Sequence, residues 1–313
     1  MGSAFQVTSN GQIYDYRIGE NLNLEEIKTF FKEKYAVVEL HQMGRHITGI
    51  LNDGSNDIFL KLATTPGIGL VTQNEYKWNE EFNKEENGSN FRVPKNITSG
   101  QFNNLFYFLA EKLDGKMVSA TKDFALDEFS FPDLIPQILD LAVYVMSKNI
   151  SGVGKPDVVR GITPQDWFVN KTRVWFDAIP NEIKTQNNLH TLMELVEASA
   201  VNLATKPRHG DFTPWHIMKL TSGGLGLIDG EHAMSEGVEL YDIGYLIQRV
   251  HTICKRPDFA VRIFEVAEER GIDARKLKTI MSARTIGGFL DAHLAQQADL
   301  SRESEFKKWV LSL

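Results

Sequence analysis

The stretch that decides the fold spans residues 208–233 and reads RHGDFTPWHIMKLTSGGLGLIDGEHA. It opens on His209-Gly210-Asp211 and closes on Asp229-Gly230-Glu231, and between them two short apolar runs flank a Ser-Gly-Gly turn. Apolar runs joined by such a turn predict a β-hairpin, which brings Asp211 and Asp229 to the same rim. Two carboxylates placed in this way suit phosphoryl transfer, because one takes the proton of an attacking hydroxyl while the other holds a metal against the phosphates.

Together with ELYDIGYL at 239–246, this stretch resembles the aminoglycoside phosphotransferase and choline kinase superfamily, which shares the protein-kinase fold. The resemblance implies a small-molecule kinase that moves the γ-phosphate of ATP to a hydroxyl of an amino-sugar, amino-alcohol or sugar-like compound, with Mg²⁺ as the metal. The resemblance also implies the roles of five residues. Asp211 would be the catalytic carboxylate, His209 would brace the catalytic loop, and Asp242 would support that loop. Asp229 would be the metal ligand, and Glu231 the second acid, of the metal motif, Ile228-Asp229-Gly230-Glu231.

One position departs from the family pattern, because His216 stands where the second metal-binding residue, an asparagine, is expected. Imidazole is a poor ligand for Mg²⁺ but an acceptable one for Mn²⁺. Two alternatives therefore stay open: a kinase with His216 at its metal site, and a nucleotide-binding pseudokinase with a regulatory role. A protein kinase is disfavoured, since the chain between Glu231 and Asp242 is too short for an activation loop.

The order of predicted elements divides the chain into a nucleotide-clamping β-rich lobe (1–109), a hinge (110–116) and a larger helical lobe for catalysis and substrate binding (117–313). This order predicts an α+β, bilobal fold class with an antiparallel sheet and one helix in the N-terminal lobe, and the resemblance implies that the fold is protein-kinase-like. That helix is predicted to follow a loop at 64–70, and Gly44-Arg45-His46 predicts an exposed turn. Helices of the second lobe are predicted at 164–178, 182–204, 239–255, 258–270, 274–296 and 303–312.

A lysine and a glutamate of the N-terminal lobe resemble the family's nucleotide clamp. Lys61 lies on a predicted strand and resembles the phosphate-binding lysine, and Glu75, fourteen residues later on the first predicted helix, resembles its ion-pair partner. An ammonium group held by a carboxylate is suited to binding phosphate oxygens. Glu80 and Glu81 compete with Glu75 for the partner role.

The segment LFYFLAEKLDG at 105–115 resembles the family's hinge between lobes. The extended backbone from Ala110 to Lys112 is predicted to hydrogen-bond the adenine edge of ATP, which makes Glu111 and Lys112 cofactor-binding candidates. The alternative is an ordinary strand that ends in a loop.

The acidic residues that follow the metal motif permit two interpretations. Glu231, Glu236, Glu239 and Asp242 are close in sequence. They either attract a cationic group of the acceptor substrate, or they form the start of a helix, where acids are favoured by the helix dipole.

Composition excludes several classes of partner. The chain has 313 residues, a formal net charge of −7 and one cysteine, Cys254. The acidic balance argues against a nucleic-acid partner. The absence of an apolar run of about 18 residues argues against a membrane partner. A single thiol rules out an internal disulfide and suits the reducing cytoplasm. No oligomeric state is predicted.

Overall fold

The computed structural model of the chain describes residues 5–9, 11–84, 89–119, 123–154 and 161–313. The chain forms two compact units: the first comprises 1–115, 150–158 and 220–233, and the second comprises 116–149, 159–219 and 234–313. The first boundary lies within the segment predicted to be the hinge. Among the helices of the described segments, none combines the length and the apolar character that crossing a lipid bilayer needs.

The structure contains both strands and helices in the described residues. The strands are β1 (Gln6–Ser9), β2 (Gln12–Asp15), β3 (Ala36–Met43), β4 (His46–Asn52), β5 (Asp57–Ala63), β6 (Phe91–Arg92), β7 (Asn96–Phe102), β8 (Leu105–Glu111), β9 (Gly115–Met117), β10 (Thr205–Arg208), β11 (Ile217–Leu220), β12 (Leu225–Leu227) and β13 (Met234–Val238). The helices are α1 (Leu24–Lys32), α2 (Pro66–Asn83), α3 (Phe131–Ser147), α4 (Pro164–Ala178), α5 (Asn181–Gln186), α6 (His190–Ser199), α7 (Tyr241–Thr252), α8 (Pro257–Glu269), α9 (Ala274–Leu294) and α10 (Ser301–Ser312).

The first unit is built on a five-stranded antiparallel sheet with the order β3-β4-β5-β8-β7. Alternate residues of the central strands are apolar and face one side, so they form a core that helix α1 covers with Ile27 and Phe31. Burial of these side chains is the main stabilising contribution to such a unit. Helix α1 is present in addition to the one helix predicted for this lobe.

Helix α2 begins at Pro66, so the loop predicted at 64–70 is wrong. Thr65 caps the helix by accepting a hydrogen bond from the Ile68 amide at 3.3 Å, and proline is favoured at the first helical position. Gly67 suggested a loop, but it serves close packing, since a Cβ there would lie 2.4 Å from the carbonyl oxygen of Asp15. The helix places Glu75 in a buried position.

Three contacts surround the segment that carries Asp229 within the first unit. Strand β12 pairs in parallel with β6, and the Gly-Gly turn before it closes with a hydrogen bond from the Leu220 amide to the Gly224 carbonyl at 3.2 Å. At Gly230 a Cβ would lie 2.3 Å from Trp78 of α2, so only glycine fits beneath that ring. Asp229, next to Gly230, has the left-handed conformation, with φ of 66°, which aspartate tolerates better than most residues.

The second unit consists mainly of helices, with β10 and β13 paired in antiparallel fashion. Helices α7 and α9 are buried and pack closely, because Gly244 leaves no room for a Cβ beside Ile280. The single helix predicted at 182–204 is wrong: it is divided into α5 and α6. The break falls at Asn188, whose φ of 45° is left-handed and ends a right-handed helix.

Candidate active site

Lys61 of β5 lies at the centre of an ion cluster in the first unit. Its Nζ atom is 2.5 Å from Glu75 Oε2, 2.6 Å from Asp229 Oδ1 and 3.7 Å from Glu231 Oε2. The structure therefore brings together Lys61, Glu75 and the two acids Asp229 and Glu231, although Lys61 and Asp229 are 168 residues apart in sequence.

Glu75, rather than its two competitors, is the partner of Lys61. Glu80 accepts a hydrogen bond from Asn96 Nδ2 at 2.9 Å, and Glu81 forms an ion pair with Lys84. Both competitors are thus engaged elsewhere.

The charge of Lys61 is maintained by its neighbours. Burial by itself lowers the pKa of Lys61, but the negative charges of Asp229 and Glu75 outweigh this effect and raise the pKa above its ordinary value. The side chain is therefore a permanent ammonium ion at physiological pH.

Glu231 belongs to the buried base of this cluster. Its carboxylate pairs with Arg45, and His46 Nε2 lies 3.7 Å from its second oxygen. Burial, together with the charges of Lys61 and Arg45, lowers the pKa of His46 well below its ordinary value, so this imidazole is neutral. Glu231 therefore contacts Arg45 in the position where the sequence predicted a metal ligand.

Asp229 is the acid of the cluster that reaches solvent. The carboxylate oxygens of Glu75, Asp229 and Glu231 lie within 4.8 Å of one another. The exposed fraction of the side chain is 27% for Asp229 but 5% for Glu75 and 2% for Glu231. Oxygen donors of this kind fit Mg²⁺, which typically takes one or two carboxylates and completes its shell with phosphate oxygens and water. Asp229 would hold such an ion.

Several residues of this cluster were missed or misplaced by the sequence. Arg45 and His46 were predicted to lie in an exposed turn, but Arg45 is half-buried and His46 is buried. Asn74 holds the metal motif, since its Nδ2 donates to the carbonyl oxygens of Glu231 at 3.2 Å and of Ala233 at 2.9 Å. Apart from the break in the apolar pattern at Gly44-Arg45-His46, no sequence signal marks these contacts.

In the second unit, Asp242 holds the loop that carries Asp211. Its two carboxylate oxygens accept hydrogen bonds from the backbone amides of His209 at 2.7 Å and Gly210 at 2.8 Å. Gly210 has φ of 83°, which favours glycine. The loop is thus fixed through its backbone, and His209 itself is fully buried.

A pH dependence is expected from Asp242. Burial raises its pKa from 3.8 to about 6, although the amides of His209 and Gly210 pull it down. Because the pKa is higher in the folded state, this group's contribution to stability is fully present below pH 3.8 and is lost as the pH rises through about 6. The loss amounts to about 3 kcal/mol.

Catalytic turnover is expected to show the opposite trend, because only the ionised carboxylate accepts from both amides. We expect an acidic limb in the pH profile of turnover with a midpoint near 6, and we expect Asp242→Asn to remove this limb and to lower turnover at every pH. Steady-state rates measured over the pH range for both proteins check this. A limb that persists unchanged in the variant would assign it to another group.

His216 lies directly beside Asp211. Its Nδ1 atom is 2.9 Å from the Asp211 carbonyl oxygen and 3.7 Å from Asp211 Oδ2. A carbonyl oxygen only accepts, so Nδ1 carries the hydrogen in this contact. If His216 bound a metal ion, it would do so through Nε2.

Part of the backbone that was predicted to hydrogen-bond adenine is already paired with other backbone segments. Ala110 pairs with Phe59 on β5, and the Glu111 amide donates to the Lys95 carbonyl at 2.8 Å. The side chain of Glu111 pairs with Arg92, and Lys112 Nζ lies 3.1 Å from Asp57 Oδ2. The backbone after β8, from Lys112 onward, is therefore the better candidate for contacts with adenine.

The acidic run is largely engaged in other contacts. Glu231 pairs with Arg45, and Glu239 accepts from the Ala204 amide at 2.6 Å and lies 2.8 Å from Lys276 Nζ. Asp242 accepts from the backbone amide of His209. Only Glu236 is exposed. This run therefore gives no support to the predicted attraction of a cationic acceptor.

Comparisons with known proteins identify the fold. No protein-family model matches the sequence, and no curated protein matches it. A thermostable mutant of aminoglycoside phosphotransferase APH(4)-Ia, in a ternary complex with ADP and hygromycin B, aligns with a TM-score of 0.69 and 12% identity over 91% of this chain and 97% of its own. Choline kinase LicA from Streptococcus pneumoniae aligns with a TM-score of 0.55 and 15% identity over 93% of this chain and 99% of its own.

A microcompartment-associated aminopropanol kinase is also similar, with a TM-score of 0.59 and 12% identity over 92% of this chain and 94% of its own. The chain therefore has the protein-kinase-like fold that these small-molecule kinases share. The predicted α+β, bilobal fold class is confirmed.

Proposed function

We propose that this chain is an ATP-dependent phosphotransferase that moves the γ-phosphate to a hydroxyl of a small molecule, using a divalent metal ion. The observation that carries the proposal is the ion cluster of Lys61, Glu75 and Asp229 within a protein-kinase-like fold. A buried ammonium ion fixed by carboxylates binds phosphate oxygens without having to be reoriented first. One of the similar proteins was solved with hygromycin B, and the other two are a choline kinase and an aminopropanol kinase. These three proteins support a small hydroxyl compound as the acceptor.

Each residue has a defined task in the proposed reaction. Lys61 holds phosphate oxygens of ATP, and Asp229 holds the metal ion, which would neutralise the charge that develops on the phosphates. Asp211 orients the acceptor hydroxyl and accepts its proton. The proximity of Asp211 to Asp229 remains a prediction. The contact of Lys112 with adenine and the support of the catalytic loop by Asp242 also remain predictions.

The test is ADP release by the purified chain with Mg²⁺ or Mn²⁺ and a panel of hydroxyl compounds. The panel contains hygromycin B, choline, aminopropanol and simple sugars. We expect ADP release that depends on an acceptor and exceeds the rate with water alone. Tight ATP binding without ADP release with either metal would instead favour a pseudokinase. The feature of the sequence that points to a pseudokinase is His216, which stands where an asparagine is expected. Phosphorylation on a peptide array would favour a protein kinase.

Replacing His216 by asparagine is expected to change the choice of metal. The amide oxygen of asparagine suits Mg²⁺, whereas imidazole favours Mn²⁺, so the ratio of turnover with Mn²⁺ to turnover with Mg²⁺ should fall about tenfold. ADP release at saturating concentrations of each metal measures this ratio. His190→Asn, at an exposed position at the start of α6, is the matched control. An unchanged ratio would exclude His216 from the metal site.

A further inference from the structure

Arg45 is a cation built into the ion cluster around Lys61. It lies in the turn between β3 and β4, and its guanidinium group is held from two sides. Nη2 donates to Glu231 Oε1, and Nη1 donates to the carbonyl oxygen of Tyr16 at 3.1 Å. The backbone is held as well, because the Arg45 carbonyl accepts from the hydroxyl of Thr64 at 2.7 Å and from its amide at 3.3 Å. The protein itself therefore positions this charge.

Both carboxylate oxygens of Glu231 are enclosed by basic side chains. Oε1 accepts from Arg45, and His232 Nε2 lies 3.4 Å from it. Oε2 is buried, and Lys61 Nζ and His46 Nε2 each lie 3.7 Å from it. Across the described ranges Oε2 receives no hydrogen bond. A buried carboxylate oxygen of this kind suits a bound cation, but Arg45 and Lys61 already lie beside the group.

The net charge of the cluster depends on Arg45. The carboxylate oxygens of Glu75, Asp229 and Glu231 lie within 4.8 Å of one another, so they are close enough to share one metal ion. With Lys61 as the sole cation, these three acids would keep two negative charges. Arg45 cancels one of them, and its positive charge repels any other cation at the same carboxylate. The guanidinium group and a metal ion therefore compete for Glu231.

An arginine–glutamate pair is often only a structural contact, so the position of this pair matters. The exposed fraction of the side chain is 25% for Arg45 and 2% for Glu231. The guanidinium group is thus the partner on the solvent side, where an entering ion would have to pass. Asp229, whose side chain is 27% exposed, remains accessible. Of the acids in the cluster, Asp229 is the one that an ion can reach from solvent.

We propose that Arg45 is a resident counter-ion that excludes metal from Glu231, so that Asp229 is the only carboxylate of the cluster that holds the ion. The part of ATP in this inference rests on the proposed function. A divalent ion held by one carboxylate needs further oxygen ligands, which the phosphates and water supply. The ion should therefore bind weakly to the chain by itself and tightly together with the nucleotide.

The experiment measures Mn²⁺ binding without nucleotide, by the electron paramagnetic resonance signal of the free ion. We expect Arg45→Met to bind Mn²⁺ about tenfold more tightly than the wild type, because a nearby positive charge is lost and Glu231 becomes a ligand. The double variant Arg45→Met/Glu231→Gln should return to the wild-type affinity. Lys28→Met is the matched control, since it also removes the cation of a pair, with Glu25 at 3.7 Å. Its helix, α1, covers the opposite face of the sheet from Lys61, and its affinity should equal that of the wild type.

Every outcome bears on the inference. An unchanged affinity in Arg45→Met would overturn it, and a weaker one would also do so, by showing that Arg45 aims Glu231 at the ion. Tight binding that persists in the double variant would exclude Glu231 as the gained ligand and overturn it too. If Arg45→Met is unfolded without metal, Mn²⁺ should restore its melting transition, because the ion replaces the guanidinium group. A variant that stays unfolded at saturating Mn²⁺ would contradict the inference.

Failure of this inference is distinguishable from failure of the proposed function. The Mn²⁺ titration uses neither ATP nor an acceptor, so its result does not depend on turnover. Absence of ADP release by the wild-type chain would overturn the proposed function and leave the competition between Arg45 and metal intact.

Discussion

Asp211→Asn is expected to lower the rate of ADP release by about 100- to 10,000-fold, the contribution of a general base to such a reaction. An amide has nearly the shape of a carboxylate but cannot accept the proton of the attacking hydroxyl. The loop should keep its conformation, because Asp242 holds it through the backbone amides of His209 and Gly210 and His216 bonds to the carbonyl oxygen of residue 211. Nucleotide affinity should therefore remain close to that of the wild type.

The measurement is ADP release at saturating ATP, combined with calorimetric titration of ATP. Asp177→Asn, at an exposed position on α4, serves as the matched control and should have no effect. If the wild-type and Asp211→Asn proteins released ADP at the same measurable rate, Asp211 would take no part in the chemistry. A rate that falls together with ATP affinity would indicate a damaged fold instead.

Lys61→Met is expected to have the largest effect on stability. The lysine is the cation paired with Glu75 and Asp229, of which Glu75 is buried, so its removal leaves a negative charge in the interior without compensation. Breaking a buried pair in this way costs about 3–5 kcal/mol. Loss of the ammonium group should also weaken ATP binding by about 10- to 100-fold, since charged hydrogen bonds to phosphate disappear.

Urea denaturation gives the free energy of unfolding, and calorimetry gives the ATP affinity. Lys112→Met is the matched control for the stability measurement alone, because its ion pair with Asp57 is exposed and contributes at most about 1 kcal/mol. Adding Glu75→Gln to Lys61→Met should recover part of the lost stability, as one uncompensated charge disappears. If Lys61→Met proved as harmless as Lys112→Met, the ion cluster would have no structural importance.

The fold and the order of the candidate site residues follow from local sequence signals. The Ser-Gly-Gly turn, the acids at 211 and 229 and the strand that carries Lys61 are all visible in short windows, and their order along the chain is typical of this fold. The Lys61–Glu75 contact was expected from the resemblance to the family's nucleotide clamp, with Glu80 and Glu81 as the alternatives. Each of these signals lies within one element or two adjacent ones.

The remaining contacts depend on tertiary packing, which a single sequence does not display. Arg45 meets Glu231 across 186 residues, and Asn74 meets the Glu231 carbonyl across 157 residues. The glycine at 67 was misread as part of a loop because a glycine needed for close approach and one needed for a turn look the same in sequence. The acidic run was ambiguous for a similar reason, since only the fold reveals which amides and cations each acid meets.

The packing of Trp78 on Gly230 has a consequence for how this sequence varies. Gly230 lies between Asp229 and Glu231, and the indole from α2 covers this position and excludes any side chain larger than hydrogen. Positions 78 and 230 are therefore coupled by packing, so that a gain of bulk at one requires a loss at the other. Homologues with a larger side chain at the position of Gly230 should carry a small residue at the position of Trp78.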